Sequence, residues 1–163
     1  MFKVGDKVVY PMHGAGVIEC IEESEVLGER RRYYVVHMPI GDMKVMVPTE
    51  SVANIGLRDV VDSSIADEVL SRLRTRGDAD TSNWNRRYRA NLDKIKGGDI
   101  FDVADVVRSL TARDEEKGLS TGERKMLENA TQILVSELVL AGGLKKEKVF
   151  ALIHGSIATS FVE

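Results

Sequence analysis

The 163-residue chain is 43% hydrophobic and 30% charged, proportions that suit a globular protein with a buried core and exclude wholesale disorder. Its net charge of −3 repels a polyanion, so any contact with nucleic acid must come from a local basic face, and DNA binding in isolation is expected to be weak. A lone cysteine, Cys20, excludes an internal disulfide and a multi-cysteine zinc site and is expected to be core filler; no apolar run nears the ~20 residues of a membrane span and no secretory leader is present, which predicts a cytoplasmic protein.

From Phe2 to Ile55 the apolar residues fall in short β-branched runs broken by glycine and proline, the pattern of short strands joined by turns. The runs 7–10, 16–21, 32–38 and 44–47 predict four or five strands, with turns at 11–14, Gly28, 39–42 and Pro48. So small a sheet has too little core to lie flat, and an SH3-like or Tudor-like barrel, with one edge open, is the expected solution. The fold class expected is therefore α+β, an N-terminal β-barrel domain over residues 1–56 followed by an all-α bundle over 57–163.

After Gly56 the spacing becomes helical, predicting five helices at 64–75, 83–96, 100–117, 121–141 and 145–160, with Gly77, Gly97, Gly118 and Gly142 as stops. The polar stretch 76–82 reads as a loop. Ser120-Thr121-Gly122-Glu123 has the form of a capping box. Beyond it, Met126, Ile133, Leu134, Leu138 and Val139 recur at three-four spacing and predict an apolar stripe packed on neighbouring helices.

Catalytic motifs are missing. His13, His37 and His154 lie in separate segments without a partner at ligand spacing, so neither a metal nor another cofactor is expected. The glycines of His13-Gly14-Ala15-Gly16 lack the third glycine and following helix of a phosphate loop, and a strand-entry turn explains them better. Asp114, Glu115 and Glu116, beside Arg113 and Lys117, read as a solvated helix face. With no Walker sequence, nucleophile elbow or zinc-protease helix, the expectation is a protein that is not an enzyme.

One segment stands out. Residues 83–96 carry Arg86, Arg87, Arg89, Lys94 and Lys96 against the single acid Asp93, inside an otherwise acidic chain. They also hold the only tryptophan, Trp84, at the first turn of a predicted helix. An indole there suits a wedge that partly unstacks a base step while arginines hold the phosphates. The residues alone are equally compatible with Trp84 and Tyr88, one turn apart, packing into the bundle.

Phe2-Lys3-Val4-Gly5-Asp6-Lys7-Val8-Val9-Tyr10-Pro11, Gly56-Leu57-Arg58, the segment 83–96, Gly118-Leu119-Ser120 and Gly122-Glu123-Arg124-Lys125-Met126-Leu127 together resemble the CarD/CdnL family of bacterial RNA polymerase-binding regulators over nearly the whole chain. The first block alone is shared with transcription-repair coupling factors, and the second half separates the two. The resemblance implies a Tudor-like domain that binds the polymerase β subunit through Met43, Lys44, Val45, Met46, Val47 and Pro48, and a helical domain that meets promoter DNA without sequence specificity at the upstream edge of the bubble. Trp84 matches the family's wedge tryptophan; Arg86, Arg87 and Arg89 would contact the DNA backbone, with Arg124 and Lys125 as weaker candidates. Some relatives carry arginine on the polymerase-facing surface where this chain has Ser24 and Met46, so the charge component of docking does not carry over at those positions. The chain stops at Glu163 soon after its last helix and is expected to be a minimal, monomeric form. A free DNA-architectural protein and a protein-binding adaptor with Trp84 buried are the rival readings.

Overall fold

The structure is a computed structural model that describes residues 2–75 and 82–162, with side chains described as far as Gly155. Residues 76–81, most of the expected loop, and the predicted stop Gly77 lie outside the described residues. The N-terminal half forms a five-stranded antiparallel sheet: β1 (Lys7–Tyr10), β2 (Gly14–Val26), β3 (Glu29–Met38), β4 (Met43–Pro48) and β5 (Arg58–Asp59), in the order β4-β3-β2-β1-β5. A 3-10 turn (Thr49–Ser51) and a single helical turn, α1 (Val52–Ile55), connect β4 to β5. The inner face buries Val8, Ile18, Tyr34, Val36, Met38, Val47 and Leu57, and a bulge between Ile18 and Cys20 bends β2 over that core. The sheet is barrel-like but not closed, because β4 and β5 remain as separate edges.

Two parts of this half differ from the expectation. The hairpin of β2 and β3 runs in register to Val26↔Glu29 and turns through Leu27 and Gly28, both at positive φ, as a two-residue turn matching strand twist requires. Its outer part pairs glutamates with arginines, Glu23↔Arg32 and Glu25↔Arg30, so the strand period carries charge rather than apolar residues. Secondly, β5 lies past the expected domain end at Gly56, and Leu57 belongs to the sheet core. Two residues are too few to show a period in sequence.

Five long helices follow: α2 (Ser63–Arg74), α3 (Trp84–Gly97), α4 (Ile100–Lys117), α5 (Thr121–Gly142) and α6 (Lys146–Val162). The first four start on side-chain caps: Asp62, Asn83, Asp99 and Ser120 each accept from a backbone N–H of the first turn. The left-handed caps of α3 and α5 fall on Gly98 and Gly143, one residue past the predicted stops. The helical core gathers Val69, Leu73, Ile95, Val106, Leu110, Leu134 and Ile153, among others.

Helix α5 sits between this core and the sheet. The predicted stripe of Met126, Ile133, Leu134 and Leu138 is buried, and Val139 partly so, yet Val135, Ser136 and Glu137 are buried too. A helix packed on two sides has no polar face at that level, so its polar side chains need partners. The sheet supplies them. Ser136 Oγ accepts from the Ala15 N–H at 2.8 Å, and the Glu137 carboxylate accepts two hydrogen bonds from Arg58, both at 2.7 Å, and one from the Val61 N–H at 3.0 Å. Arg58 also donates to the Gly98 carbonyl at the end of α3. Gly14 is required here, since a Cβ on it would come within 2.8 Å of Ser136 Oγ. The two halves therefore meet through a buried polar joint.

Candidate nucleic-acid and docking surfaces

Helix α3 places the aromatic site. The Asn83 side chain accepts from the Arg86 N–H at 2.9 Å and so fixes where the helix begins, which makes Trp84 its first residue. The indole lies against Tyr88, with ring centroids 4.8 Å apart and planes 17° from parallel. Its Nε1–H donates to Ser120 Oγ at 2.9 Å, so the ring has no free donor left. Gly122 in the first turn of α5 lies under both rings, where a Cβ would stand 3.5 Å from the indole and 3.7 Å from the Tyr88 ring, at ordinary contact distance. Trp84 nonetheless remains 42% exposed. The ring is packed on one side and open on the other, so the reading in which both rings are sequestered does not hold for Trp84.

The arginines divide into two groups. At about 100° per helical residue, Arg87 and Tyr88 fall within about 60° of Trp84, whereas Arg86 and Arg89 lie more than about 130° away. Arg87 accordingly points inward and is only 4% exposed. Its Nε and Nη2 donate to the two oxygens of Glu123 at 2.7 and 2.9 Å, and its Nη1 donates to the Ser82 carbonyl. This corrects the expectation that Arg87 contacts the DNA backbone: it is an internal tie between α3 and α5. Arg86 and Arg89 are exposed and share a shallow groove with Asn83, Asn85 and Asp93. On the other helix, Arg124 is exposed, 3.8 Å from Asp114, while exposed Lys125 lines a groove with Tyr88, Leu92 and Met126. The indole thus stands at the seam of α3 and α5, with exposed cations on both helices.

Glu123 underlies the seam. The hydrogen bonds from Arg87, helped by its charge and that of Arg113, hold the Glu123 carboxyl below the usual carboxylate range despite burial, which acts the other way. The expected capping box is half formed in consequence. Ser120 Oγ accepts from the Glu123 N–H at 3.2 Å, but the Glu123 carboxylate is engaged by Arg87.

The expected docking strand β4 is an edge, hydrogen-bonded to β3 alone among the described strands. Val47 is in the sheet core and Val45 packs against it. Met43 and Met46 are 52% and 47% exposed, Lys44 pairs with Glu19 at 3.2 Å, and Pro48 ends the strand. Cross-strand partners share a face, so Met46 lies with Val35 and Cys20 on the outer face, and Ser24 with Arg31 farther along it. Cys20 is therefore not core filler: it sits half-buried on this face, and burial with nearby Glu22 and Glu19 pushes its thiol pKa up.

Comparison with known proteins decides the family. Residues 68–154 match the family model for the CarD C-terminal domain, and residues 2–61 match the CarD-like/TRCF RID domain. The chain belongs to the CarD family. It is 43% identical over 150 residues to the candidate transcription factor YdeB of Bacillus subtilis (strain 168), an alignment covering 91% of this chain and 97% of that protein. The solution NMR structure of the 72-residue N-terminal domain of Myxococcus xanthus CarD is 34% identical, covers 36% of this chain and 79% of that one, and has a TM-score of 0.32. Membership of the CarD family gives the chain a transcription regulator role.

Three residues that build this site lie outside the basic segment 83–96 and carry no motif that marks such a role in sequence. Arg58 and Glu137 form the joint, and Ser120 holds the indole. Arg58 lies in the Gly56-Leu57-Arg58 block, whose role follows from the packing of the sheet on α5, where Arg58 meets Glu137. The histidines stay apart: His37 pairs with Asp42 at 2.7 Å, His13 meets Tyr10, and His154 stacks on Phe150. Among the described residues no cluster of three or more histidine, cysteine or acidic side chains is placed to hold a metal ion. No helix among them is long and apolar enough to cross a membrane.

Proposed function

We propose that this CarD-family protein is a non-enzymatic regulator that binds the β subunit of RNA polymerase through its sheet and stabilises the promoter open complex by wedging Trp84 into the minor groove at the upstream edge of the bubble. The observation that carries this reading is the half-exposed indole, backed by Tyr88, at a seam whose helices carry exposed cations: Arg124 and Lys125 on α5, and Arg86 and Arg89 on the far side of α3. An apolar ring of this kind unstacks a base step, and cations beside it hold the phosphates. With its only N–H already donated to Ser120, the ring offers shape and apolar area rather than base readout. The contact is selective for a distorted step, not for sequence.

Docking supplies what the acidic chain lacks. Non-specific DNA affinities of ~10⁻⁴ to 10⁻⁶ M are marginal in free solution, but a tether to polymerase raises the local concentration of the wedge to roughly millimolar. The edge of β4 can extend a partner sheet by backbone hydrogen bonds, and the outer-face residues beside it supply specificity. Met46 brings apolar area to that face, and Arg31, opposite Ser24, brings a cation. Preference for the melted state by ~1.4 kcal/mol raises the open-to-closed ratio about tenfold.

Two variants test the two surfaces. Trp84→Ala is expected to keep polymerase binding and shorten open-complex lifetime on a promoter template; an unchanged lifetime removes the wedge. The double variant Met43→Asp/Met46→Asp is expected to abolish co-purification with core polymerase while the chain stays folded, and retained binding places docking elsewhere.

A further inference from the structure

The ring of contacts beneath the tryptophan goes beyond this reading of the site and rests on it. Ser120 Oγ accepts from Trp84 Nε1–H at 2.9 Å and from the Glu123 N–H at 3.2 Å, and lies 3.3 Å from Glu123 Oε1, to which it donates. A hydroxyl has one proton and two acceptor positions, so this one is fully used and its rotor is fixed. Glu123 is itself held by the two-point contact with Arg87, and both side chains are almost fully buried. Arg87 returns to α3 one turn beyond Trp84. The circuit from Trp84 to Ser120, Glu123 and Arg87 is closed through the backbone of α3.

We infer that Ser120 is a positioning residue for the Trp84 wedge: its hydroxyl, locked by the buried Arg87–Glu123 pair, holds the indole in its outward pose before DNA arrives. The stack on Tyr88 fixes the plane of the ring but permits rotation within that plane. The Nε1–H contact removes this freedom, which a wedge would otherwise lose on insertion. Pre-ordering of a contact group strengthens binding by removing that entropy cost in advance.

Open-complex lifetime and the fluorescence of the single tryptophan test this together. Ser120→Ala is expected to shorten the lifetime about fivefold, the effect of one hydrogen bond, and to raise the collisional quenching of Trp84 by iodide; Ser120→Thr restores both. Because Ser120 also caps α5, the decisive arm is Trp84→Phe, which keeps a ring without an N–H. In that background Ser120→Ala is expected to leave the lifetime where Trp84→Phe alone puts it, while the thermal stability still falls from loss of the cap. Ser120→Gly, a cap tolerated nearly as well as serine yet lacking the acceptor, reproduces the lifetime effect should Ser120→Ala be too unstable to assay. A full Ser120→Ala effect persisting in the Trp84→Phe background, or no effect where Trp84→Ala shortens the lifetime, overturns the inference. If Trp84→Ala itself leaves the lifetime unchanged, it is the wedge that has failed.

Discussion

Two arginine–glutamate pairs, each with two hydrogen bonds, anchor α5 to the rest of the molecule, and they do different work. Arg87–Glu123 lies at the start of the helix beneath the indole, with both side chains shut off from solvent. Arg58–Glu137 lies at the joint with the sheet, where the carboxylate is buried but the arginine side chain is 30% exposed. Each arginine also reaches a carbonyl near one end of α3: Arg87 takes that of Ser82 and Arg58 that of Gly98. The helix that presents Trp84 is thus pinned at both ends to α5, once for the pose of the ring and once for its distance from the sheet. Burial of ions is costly unless their donors and lone pairs are met, and the carbonyls of Ser82 and Gly98 take N–H groups that the carboxylates leave over.

Breaking the inner pair should cost most. Glu123→Ala strands a buried guanidinium and is expected to lower stability by about 3 to 5 kcal/mol, measured by denaturant unfolding with an unchanged slope. The same pair should shape the acid response. Because Arg87 holds the folded-state pKa of Glu123 below the ordinary 4.5, the charged form is favoured in the fold; its contribution is full above that value and is lost as pH falls through the lowered one. Glu123→Gln is expected to start less stable and to show a flatter acid limb than the parent; an identical limb would mean that other carboxylates set it.

The joint should tolerate more. Arg58→Ala leaves Glu137 the Val61 N–H and an opening to water, and about 2 kcal/mol is expected, the scale of hydrogen bonds to a charged group. Its distinguishing effect is mechanical: polymerase binding and Trp84 quenching should be unchanged while open-complex lifetime falls, since the ring is intact but its distance from the docked sheet is looser. A change in quenching would show that the two ties are not independent. Smallest is Asn83→Ala, which removes the cap of α3 at a cost of about 1 kcal/mol, read as a modest fall in the unfolding midpoint.

Much of this was legible in the residues. β1 is the predicted strand, and α4 the predicted helix, because alternation and three-four spacing report a buried face directly. The strand cores of β2 and β3 were equally clear, but their outer reach was hidden, since an arm bathed in solvent on both sides has no reason to alternate apolar with polar. The resemblance groups Arg87 with Arg86 and Arg89, and the linear sequence gives no reason to separate them. A run of basic residues looks like one face when written in a line, whereas helical rotation turns Arg87 inward and Arg86 and Arg89 outward.

The amino-acid sequence determined the long helices and the strand cores, the single tryptophan at a helix start, and the serine cap that begins α5, since each depends on side chains within a few residues of one another. Only the tertiary structure decided that Ser120 serves both the cap and the indole, that Arg87 is internal, and that Arg58 joins the sheet to two helices. Those contacts span separations of 36 residues for Trp84 to Ser120 and 79 for Arg58 to Glu137. A charged or hydroxyl side chain carries no mark of its eventual partner; packing chooses it, because a polar group that is buried must find one.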